Sequence, residues 1–493
     1  MATQTQLVQY GVSEATLRIT SAELAAVQSI LFRRYPLFEW ATFARFGWRA
    51  TQRGLVLTLA DLDPPRVGEL NDRVGHVQIN EPYTLRIALA AETHPLAVGV
   101  IHSHPRECGP VPSRTDNDMD SYYASYFSGF APDRPYVSLI LSQVRGQLGI
   151  SGRVFWNGQW QRLARTTVDR MPLNTWVRGV VPEAAATPPE RVRRLGDVLG
   201  KEAAARLRRS SVAVIGAGGT GSAAIEILAR AGVGRLIVID PDHLEESNLE
   251  RVHGGFPEDS LGHTPKVVVA RNHVKAIDPK CEVVALLGAV PQSEVIDALV
   301  TADVAIGCTD QQHSRLALSD LAVRYLLPSI DCGVLLEGQN GHVTGQIAQF
   351  VRFLPNDPCA LCRGMVSPQR LQCELMSEAE RAQRRAAADA ARARGDDPAP
   401  YWSQQPQLNT VGFLTTAVGA LAAGYVVGWL TGRFDLPFSR LQMNFVARLL
   451  DVVEVSDRSR PECACQRIRG WADQGVADAL ITPPDHWPNA RIL

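Results

Sequence analysis

His102 and His104 flank Ser103 in Ile-His-Ser-His-Pro, and Ser113 and Asp116 follow in Pro-Ser-Arg-Thr-Asp. Two imidazoles and a carboxylate can hold one zinc ion and leave its fourth position to water. Zinc lowers the pKa of such a water toward about 7, so the set describes a metallohydrolase. Residues two apart on a strand share a face, which points both imidazoles the same way. Ser113 reads as a helix N-cap, and Asp116, one turn into that helix, can reach the same ion.

A second chemistry begins at Ser211-Val-Ala-Val-Ile-Gly216-Ala-Gly218-Gly219-Thr-Gly221, a strand running into a glycine turn and a helix. Such a turn lets backbone amides approach phosphate at a helix N-terminus. Asp240 ends the next strand at the spacing of a ribose carboxylate, and by this pattern alone NAD and ATP both remain open. The residues that follow separate them. Asn248, Arg251 and Lys266 offer donors to phosphates, and Asp310 in Cys-Thr-Asp offers a carboxylate to magnesium, a set for nucleotidyl transfer rather than hydride transfer. Four cysteines, in Cys359-x-x-Cys362 and Cys463-x-Cys465, form a second zinc candidate.

These residues must be positioned by more than one core. The chain has 493 residues, 45% hydrophobic and 20% charged, which indicates a multidomain globular protein. A net charge of −1 gives no field favouring nucleic acid or anionic membrane. The N-terminus lacks a secretory pattern, so a cytoplasmic setting with reduced cysteines is expected. Residues 1–165 read as an α+β domain, with a helix near Ser21–Phe32, strands at Leu55–Ala60, Ala97–His102 and Tyr136–Leu141, and an Asn-Gly hairpin within Val154–Gln161. Residues 166–190, with several Pro and Ala, read as a linker. From 191 to 493, the short apolar runs Val212–Ile215, Arg235–Asp240 and Val304–Ile306 alternate with helical segments, predicting a Rossmann-like, doubly wound α/β domain. Ser377–Arg394 reads as an exposed helix or a mobile loop. Thr410–Thr431 is uncharged and long enough to span a bilayer, but its Gly, Ala and Thr content favours a buried core helix. Cys281, Cys308 and Cys332 read as core residues beside strands.

The first cluster resembles the JAMM (JAB/MPN) metallopeptidases, which cleave after the C-terminal Gly-Gly of ubiquitin-like proteins; the resemblance covers most of residues 20–160. It implies catalytic zinc on His102, His104 and Asp116, Ser113 supporting the oxyanion, and an upstream glutamate as general base. Glu39, where a helix gives way to a strand, fits that context; Glu69 and Glu81 are weaker candidates. The segment from Pro105 to Ser113 is about one residue longer than usual and contains Cys108, read as a loop cysteine and alternatively as a metal ligand.

Residues 191–469 resemble the ThiF-type adenylation domain of ubiquitin-activating enzymes and their bacterial relatives in molybdopterin and thiamine synthesis. By that resemblance Asp240 holds the ribose, Asn248, Arg251 and Lys266 contact the triphosphate, and Asp310 holds magnesium and steers the α-phosphate. Arg191-Val-Arg-Arg194 resembles a segment whose last arginine, here Arg194, enters a partner subunit's site, implying a homodimer. Val252 stands where the family usually has glutamine. The four cysteines match a structural zinc site, and Cys373, opening a crossover loop of about 373–409, matches the nucleophile of relatives that form a thioester.

Together these resemblances imply an enzyme that adenylates the C-terminal glycine of a bacterial ubiquitin-like protein, captures it on Cys373 and passes it to a conjugating enzyme. The fused peptidase trims or removes the same modifier, in a setting such as antiviral defence. The alternative is an activator of a sulfur carrier that stops at the adenylate. A third reading is a scaffold whose metal site only docks the modifier.

Overall fold

The computed structural model describes residues 14–33, 38–73, 76–105, 108–169, 172–173, 190–398, 410–433, 438–446, 451–455 and 457–493. The chain forms two compact units. The first comprises Met1–Ala184 with Arg324–Leu326 and Ile468–Asp478, and the second comprises the remainder.

The first unit contains β1 (Glu14–Ile19), α1 (Ser21–Leu31), β2 (Ala41–Thr51), β3 (Gly54–Asp63), β4 (Leu70–Arg73), β5 (His76–Ile79), α2 (Glu81–Thr93), β6 (Ala97–Ser103), α3 (Arg114–Phe130), β7 (Tyr136–Val144), β8 (Gln147–Trp156), β9 (Gln159–Val168) and β10 (Pro172–Leu173). The main sheet runs β1-β3-β2-β6-β7-β8-β9-β10, and β1 also pairs in parallel with β9, so the sheet closes on itself. One core packs α1 residues Val27 and Leu31 on Leu17, Phe46, Leu57 and Leu139. A second packs α2 and α3, through Ile87, Tyr123 and Phe127, on Phe43 and Val100. The β8–β9 hairpin turns at Asn157 and Gly158, both at positive φ (50° and 75°), as the Asn-Gly signal predicts.

The expected boundary at residue 165 falls inside β9, whose pairing with β1 continues to Ile19↔Val168. The segment Ile468–Asp478, expected with the C-terminal domain, belongs to the first unit. Thr58 Oγ1 donates to the Gly470 carbonyl (2.6 Å), and Trp48 N–H donates to Gln474 Oε1 (2.9 Å). Most of the expected linker, residues 174–189, lies outside the described residues.

The second unit contains α4 (Arg193–Leu199), α5 (Lys201–Arg209), β11 (Ser211–Ile215), α6 (Gly219–Ala231), β12 (Arg235–Ile239), α7 (Pro257–Leu261), α8 (Lys266–Ile277), β13 (Glu282–Leu287), α9 (Ser293–Leu299), β14 (Val304–Gly307), α10 (Gln312–Arg324), β15 (Ser329–Gln339), β16 (His342–Phe353), α11 (Pro368–Leu375), α12 (Glu378–Arg394), α13 (Gly412–Thr431), β17 (Arg440–Asn444), β18 (Asp451–Val455) and β19 (Arg491–Ile492). The sheet order is β18-β17-β16-β15-β14-β11-β12-β13-β19, with β11 to β15 mutually parallel. The chain winds from β11 outward to β13, then crosses back to place β14 on the other side of β11. That reversal is a topological switch point, where open α/β sheets bind ligands beyond the carboxyl ends of their strands.

Ser377–Arg394 is helical: Ser377 and Glu380 form a capping box, and Gly395 ends the helix at φ 78°. The expected crossover loop is therefore two helices, with Cys373 inside α11 and residues 399–409 outside the described residues. α13 is long and apolar enough to cross a membrane by length and composition, but 61% of its most apolar window is buried. Leu414, Val418, Ala422 and Val426 pack into the core with the α6 residues Ala224, Ile225 and Leu228. At Gly419 the two helices leave no room for a side chain, since a Cβ would lie 2.3 Å from the Thr220 carbonyl oxygen. Gly419→Ala is therefore expected to destabilise the protein by about 1–3 kcal/mol through overpacking. Gly424→Ala, on the same helix with open space around it, is expected to stabilise by about 0.5–1 kcal/mol. Denaturant melts of the two variants check the pair.

Candidate functional site

The first unit brings its expected ligands together. His102 is the penultimate residue of β6, His104 follows the strand, and Asp116 occupies the first turn of α3 behind the N-cap Ser113. His102 Nε2 lies 3.2 Å from Asp116 Oδ1, His104 Nε2 lies 3.4 Å from Asp116 Oδ2, and the two Nε2 atoms are 3.3 Å apart. Donors at zinc's usual N and O distances on a tetrahedron stand about 3.4 Å from one another; one ligand atom from each of the three residues lies within 4.8 Å of the others, a spacing within reach of such an ion. His104 Nδ1 points at the Gly109 carbonyl (3.1 Å), which orients the ring and leaves Nε2 for a metal. Burial opposes ionisation of Asp116, but the facing imidazoles hold its carboxyl far below the usual range.

Glu39 lies between α1 and β2. Burial pushes its carboxyl up, while His102 and His104 pull it down and Asp116 pushes it up, so it is electrostatically linked to the cluster. The alternative bases are committed elsewhere or exposed. Arg86 donates to both oxygens of Glu69 (2.8 and 2.7 Å) and holds its carboxyl down, and Glu81 is exposed at the start of α2. Ser113 Oγ accepts from Asp116 N–H (3.1 Å), so Ser113 also holds Asp116 in place. Cys108 is exposed and is not part of the ligand group among the described residues.

The second unit gathers the glycine turn, Asp240 and the Cys308-Thr-Asp310 segment at the carboxyl ends of β11, β12 and β14. Gly216 sits at φ 95° against the Cys308 carbonyl. A Cβ on Gly221 would stand 1.8 Å from the Gly216 oxygen, which leaves that position to glycine. Asp240 is 5% exposed and accepts from Ala217 N–H (2.6 Å) and Asp242 N–H (2.8 Å). Burial lifts its carboxyl to about 6, against the pull of Lys266.

The cations stand at the same end of the sheet. Lys266 Nζ meets Asp242 Oδ2 (2.8 Å), and Arg251 Nη1 donates to the Ser247 carbonyl (2.7 Å). Arg251 also reaches the turn, its Cβ 3.2 Å from the Cβ position of Gly219. The buried Asn248 accepts from Glu245 N–H (3.4 Å) and so shapes the loop itself. Val252, in the glutamine position, is buried with Leu244 and Val269. Asp310 is exposed after β14, and Arg194 is exposed on α4.

The sequence reading missed Glu374. Its carboxylate accepts from the Gln312 and His313 backbone N–H groups (both 2.9 Å), capping α10 just beyond Asp310. Ser367 N–H donates to Gln312 Oε1 (3.0 Å), so α11 is docked at both ends and its half-buried Cys373 is held beside this capping residue. The adjacency of Cys373 and Glu374 in sequence was the available signal.

The four cysteines converge as expected. Cys359 Sγ and Cys463 Sγ are 3.7 Å apart, and Cys362 Sγ and Cys465 Sγ 3.8 Å, while all four sulfurs lie within 4.8 Å. Thiolates at zinc's usual distance stand about 3.8 Å apart on a tetrahedron. Backbone donors from Cys362 and Arg460 and the Gln466 amide point at these sulfurs (3.5, 3.3 and 3.2 Å).

A family model described as "ThiF family" matches residues 191–466. The chain belongs to the ThiF family. It is 34% identical over 175 residues to the SAMP-activating enzyme E1 of Haloferax volcanii, covering 35% of this chain and 60% of that protein. It is 34% identical over 152 residues to a sulfur carrier protein adenylyltransferase of Thermus thermophilus, covering 31% and 53%. The aligned region thus spans less than two thirds of either relative. E. coli MccB resembles it at 19% identity and a TM-score of 0.41, covering 55% of this chain and 71% of MccB.

An ionised carboxylate accepts hydroxyl donors more strongly than a protonated one, so a ribose held on Asp240 would sense its titration. Because burial sets its titration near 6, MgATP affinity is expected to fall several-fold, roughly, from pH 7 to pH 5.5. Calorimetry of the full chain and of Asp240→Asn checks this: the variant is expected to bind weakly with a flattened pH response.

Proposed function

We propose that this chain adenylates the C-terminal carboxylate of a ubiquitin-like or sulfur-carrier protein, and that its first unit is a JAMM-type peptidase for the same modifier. The observation that carries the reading is the convergence of the glycine turn, Asp240, Arg251, Lys266 and Asp310 at the switch point. Asp240 holds the ribose, and the α6 N-terminus, Asn248, Arg251 and Lys266 draw the phosphates into one orientation. The modifier's carboxylate attacks the α-phosphorus, the bond to the β-phosphate breaks, and pyrophosphate leaves with its charge met by the same cations. Asp310 would hold magnesium, which supplies charge neutralisation when bound. Arg194 is assigned to the site of a second copy, giving a homodimer.

In the next step the Cys373 thiolate attacks the acyl carbon and AMP leaves, producing a thioester for a conjugating enzyme. Glu374, fixed on the N-terminus of α10, supports this by keeping Cys373 close to the Asp310 segment. A second reading, activation of a sulfur carrier without a thioester, is supported by the similarity to a sulfur carrier adenylyltransferase. Incubation with MgATP and a modifier ending in Gly-Gly separates them on a non-reducing gel. The first reading expects a thiol-labile adduct lost in Cys373→Ala; the second expects pyrophosphate release without one.

In the first unit, His102, His104 and Asp116 would hold a zinc ion, which supplies a nucleophilic hydroxide when bound. Glu39, with its raised carboxyl, takes the water's proton and returns it to the departing amine. Ser113 O–H donates to the oxygen that gains charge. Glu39→Gln is expected to retain one zinc at this cluster while cleavage of a Gly-Gly fusion falls by a factor of about 10² or more. Elemental analysis beside a cleavage assay reads both, and full activity in the variant would remove Glu39 from this role.

A further inference from the structure

The proposed phosphate contacts sit on three separate elements: the glycine turn on α6, Arg251 on the loop after β12, and Lys266 at the start of α8. One carboxylate joins all three. Glu226, on α6, places Oε2 2.8 Å from His253 Nδ1 and 3.2 Å from His273 Nε2. His253 is two residues beyond Arg251, and His273 is two turns beyond Lys266 on α8.

The junction is built in detail. His253 N–H donates to Ser222 Oγ (3.0 Å) in the first turns of α6, and its Nε2 meets Thr416 Oγ1 (2.9 Å) on α13. Arg230 Nε donates to the other Glu226 oxygen (2.8 Å). Gly254, at φ 78°, lets the His273 ring lie against the loop, since a Cβ there would be 2.4 Å from that ring. Burial would lift the Glu226 carboxyl, but donors from His253, Arg230 and His273 bring it to about 2.

We infer that Glu226, through His253 and His273, is the positioning residue that sets the spacing of the three phosphate-contacting elements, and that His253 is the arm fixing Arg251. None of the three touches the nucleotide; they act through Arg251 and Lys266. The inference rests on the adenylation reading and predicts that the loss of affinity scales with the number of phosphates. On that reading the ribose is held by Asp240, whose hydrogen bonds run to Ala217 and Asp242 and not to this junction.

The test is calorimetric titration of MgATP, MgADP and adenosine into the full chain and into Glu226→Ala, Glu226→Gln and His253→Ala. The expected result is a loss of about 10-fold for MgATP, a smaller loss for MgADP, and adenosine affinity within about twofold of wild type. Glu226→Gln, which keeps one acceptor and the side-chain volume, should recover part of the loss and melt close to wild type. Unchanged MgATP affinity in Glu226→Ala overturns the inference, as does an equal loss for adenosine, the mark of general damage. A wild-type chain that binds no MgATP sinks the adenylation reading itself, so the two failures are distinct.

Discussion

The closeness of Gly221 to the Gly216 carbonyl is the constraint on which the second unit depends. With 1.8 Å between a would-be Cβ and that oxygen, α6 can begin over the end of β11 only if the position carries no side chain. Three consequences follow from that compact start. The α6 N-terminus faces the switch point, and the first amides of a helix have no partner within it, which favours anions there. Ala217 N–H comes within 2.6 Å of Asp240, locking the turn to the end of the neighbouring strand. Gly219 leaves room for Thr415 and Arg251, so α13 and the cationic loop pack against the turn itself. A glycine turn is usually read as a phosphate cradle; here it is equally the packing joint for two other elements.

The first unit solves a different problem, holding two imidazoles and a carboxylate together while keeping them partly out of water. Asp116 serves twice. Its Oδ2 accepts from Ser113 N–H (2.6 Å) as half of a capping box, and the carboxylate faces both histidines. A carboxylate that is also half of a capping box would lose little freedom on binding a metal, because folding has already fixed it. The strand ends holding His102 are equally constrained, since β6 is paired on both sides within a sheet that closes through β1 and β9.

Features set by local backbone preference were readable from sequence. Asn157-Gly158 demanded a hairpin, Ser113 announced a helix start, and His-Ser-His at a strand end put two rings on one side. The parallel strand–helix alternation and the glycine turn were readable for the same reason. What stayed hidden depended on long-range pairing. Closure of the first sheet joins residues 14–19 to 162–168, and no local pattern encodes that register. Ser367-Pro368 starts a helix through Cys373, but the tie that docks it, Glu374 to the α10 N-terminus, spans about sixty residues. The Glu226 junction draws on side chains as far apart as Glu226 and Thr416. The position of Ile468–Asp478 in the first unit was likewise invisible, because its contacts, Arg49 to Asp473 (2.8 Å) and His94 to Trp471 among them, join residues more than 370 positions apart with no local signature.

The four-cysteine cluster shows why such long-range ties take the form they do. It joins residues 359–362 to 463–465 across about a hundred residues. Among the described residues 457–493 the regular structure is two short 3₁₀ turns and the two-residue β19, and few apolar side chains are buried, so packing alone gives weak hold there. Loop-closure entropy grows only logarithmically with length, so a metal held by the four sulfurs would offset a closure that large. The turn Ala464–Gln466 brings the sulfur of Cys465 back beside that of Cys362, which is how Cys-x-Cys serves where two intervening residues are usual. Spacing in sequence thus matters less than the turn that carries it. Arg251 and Lys266 obey the same rule: their spacing from the glycine turn is set by where Glu226 holds His253 and His273.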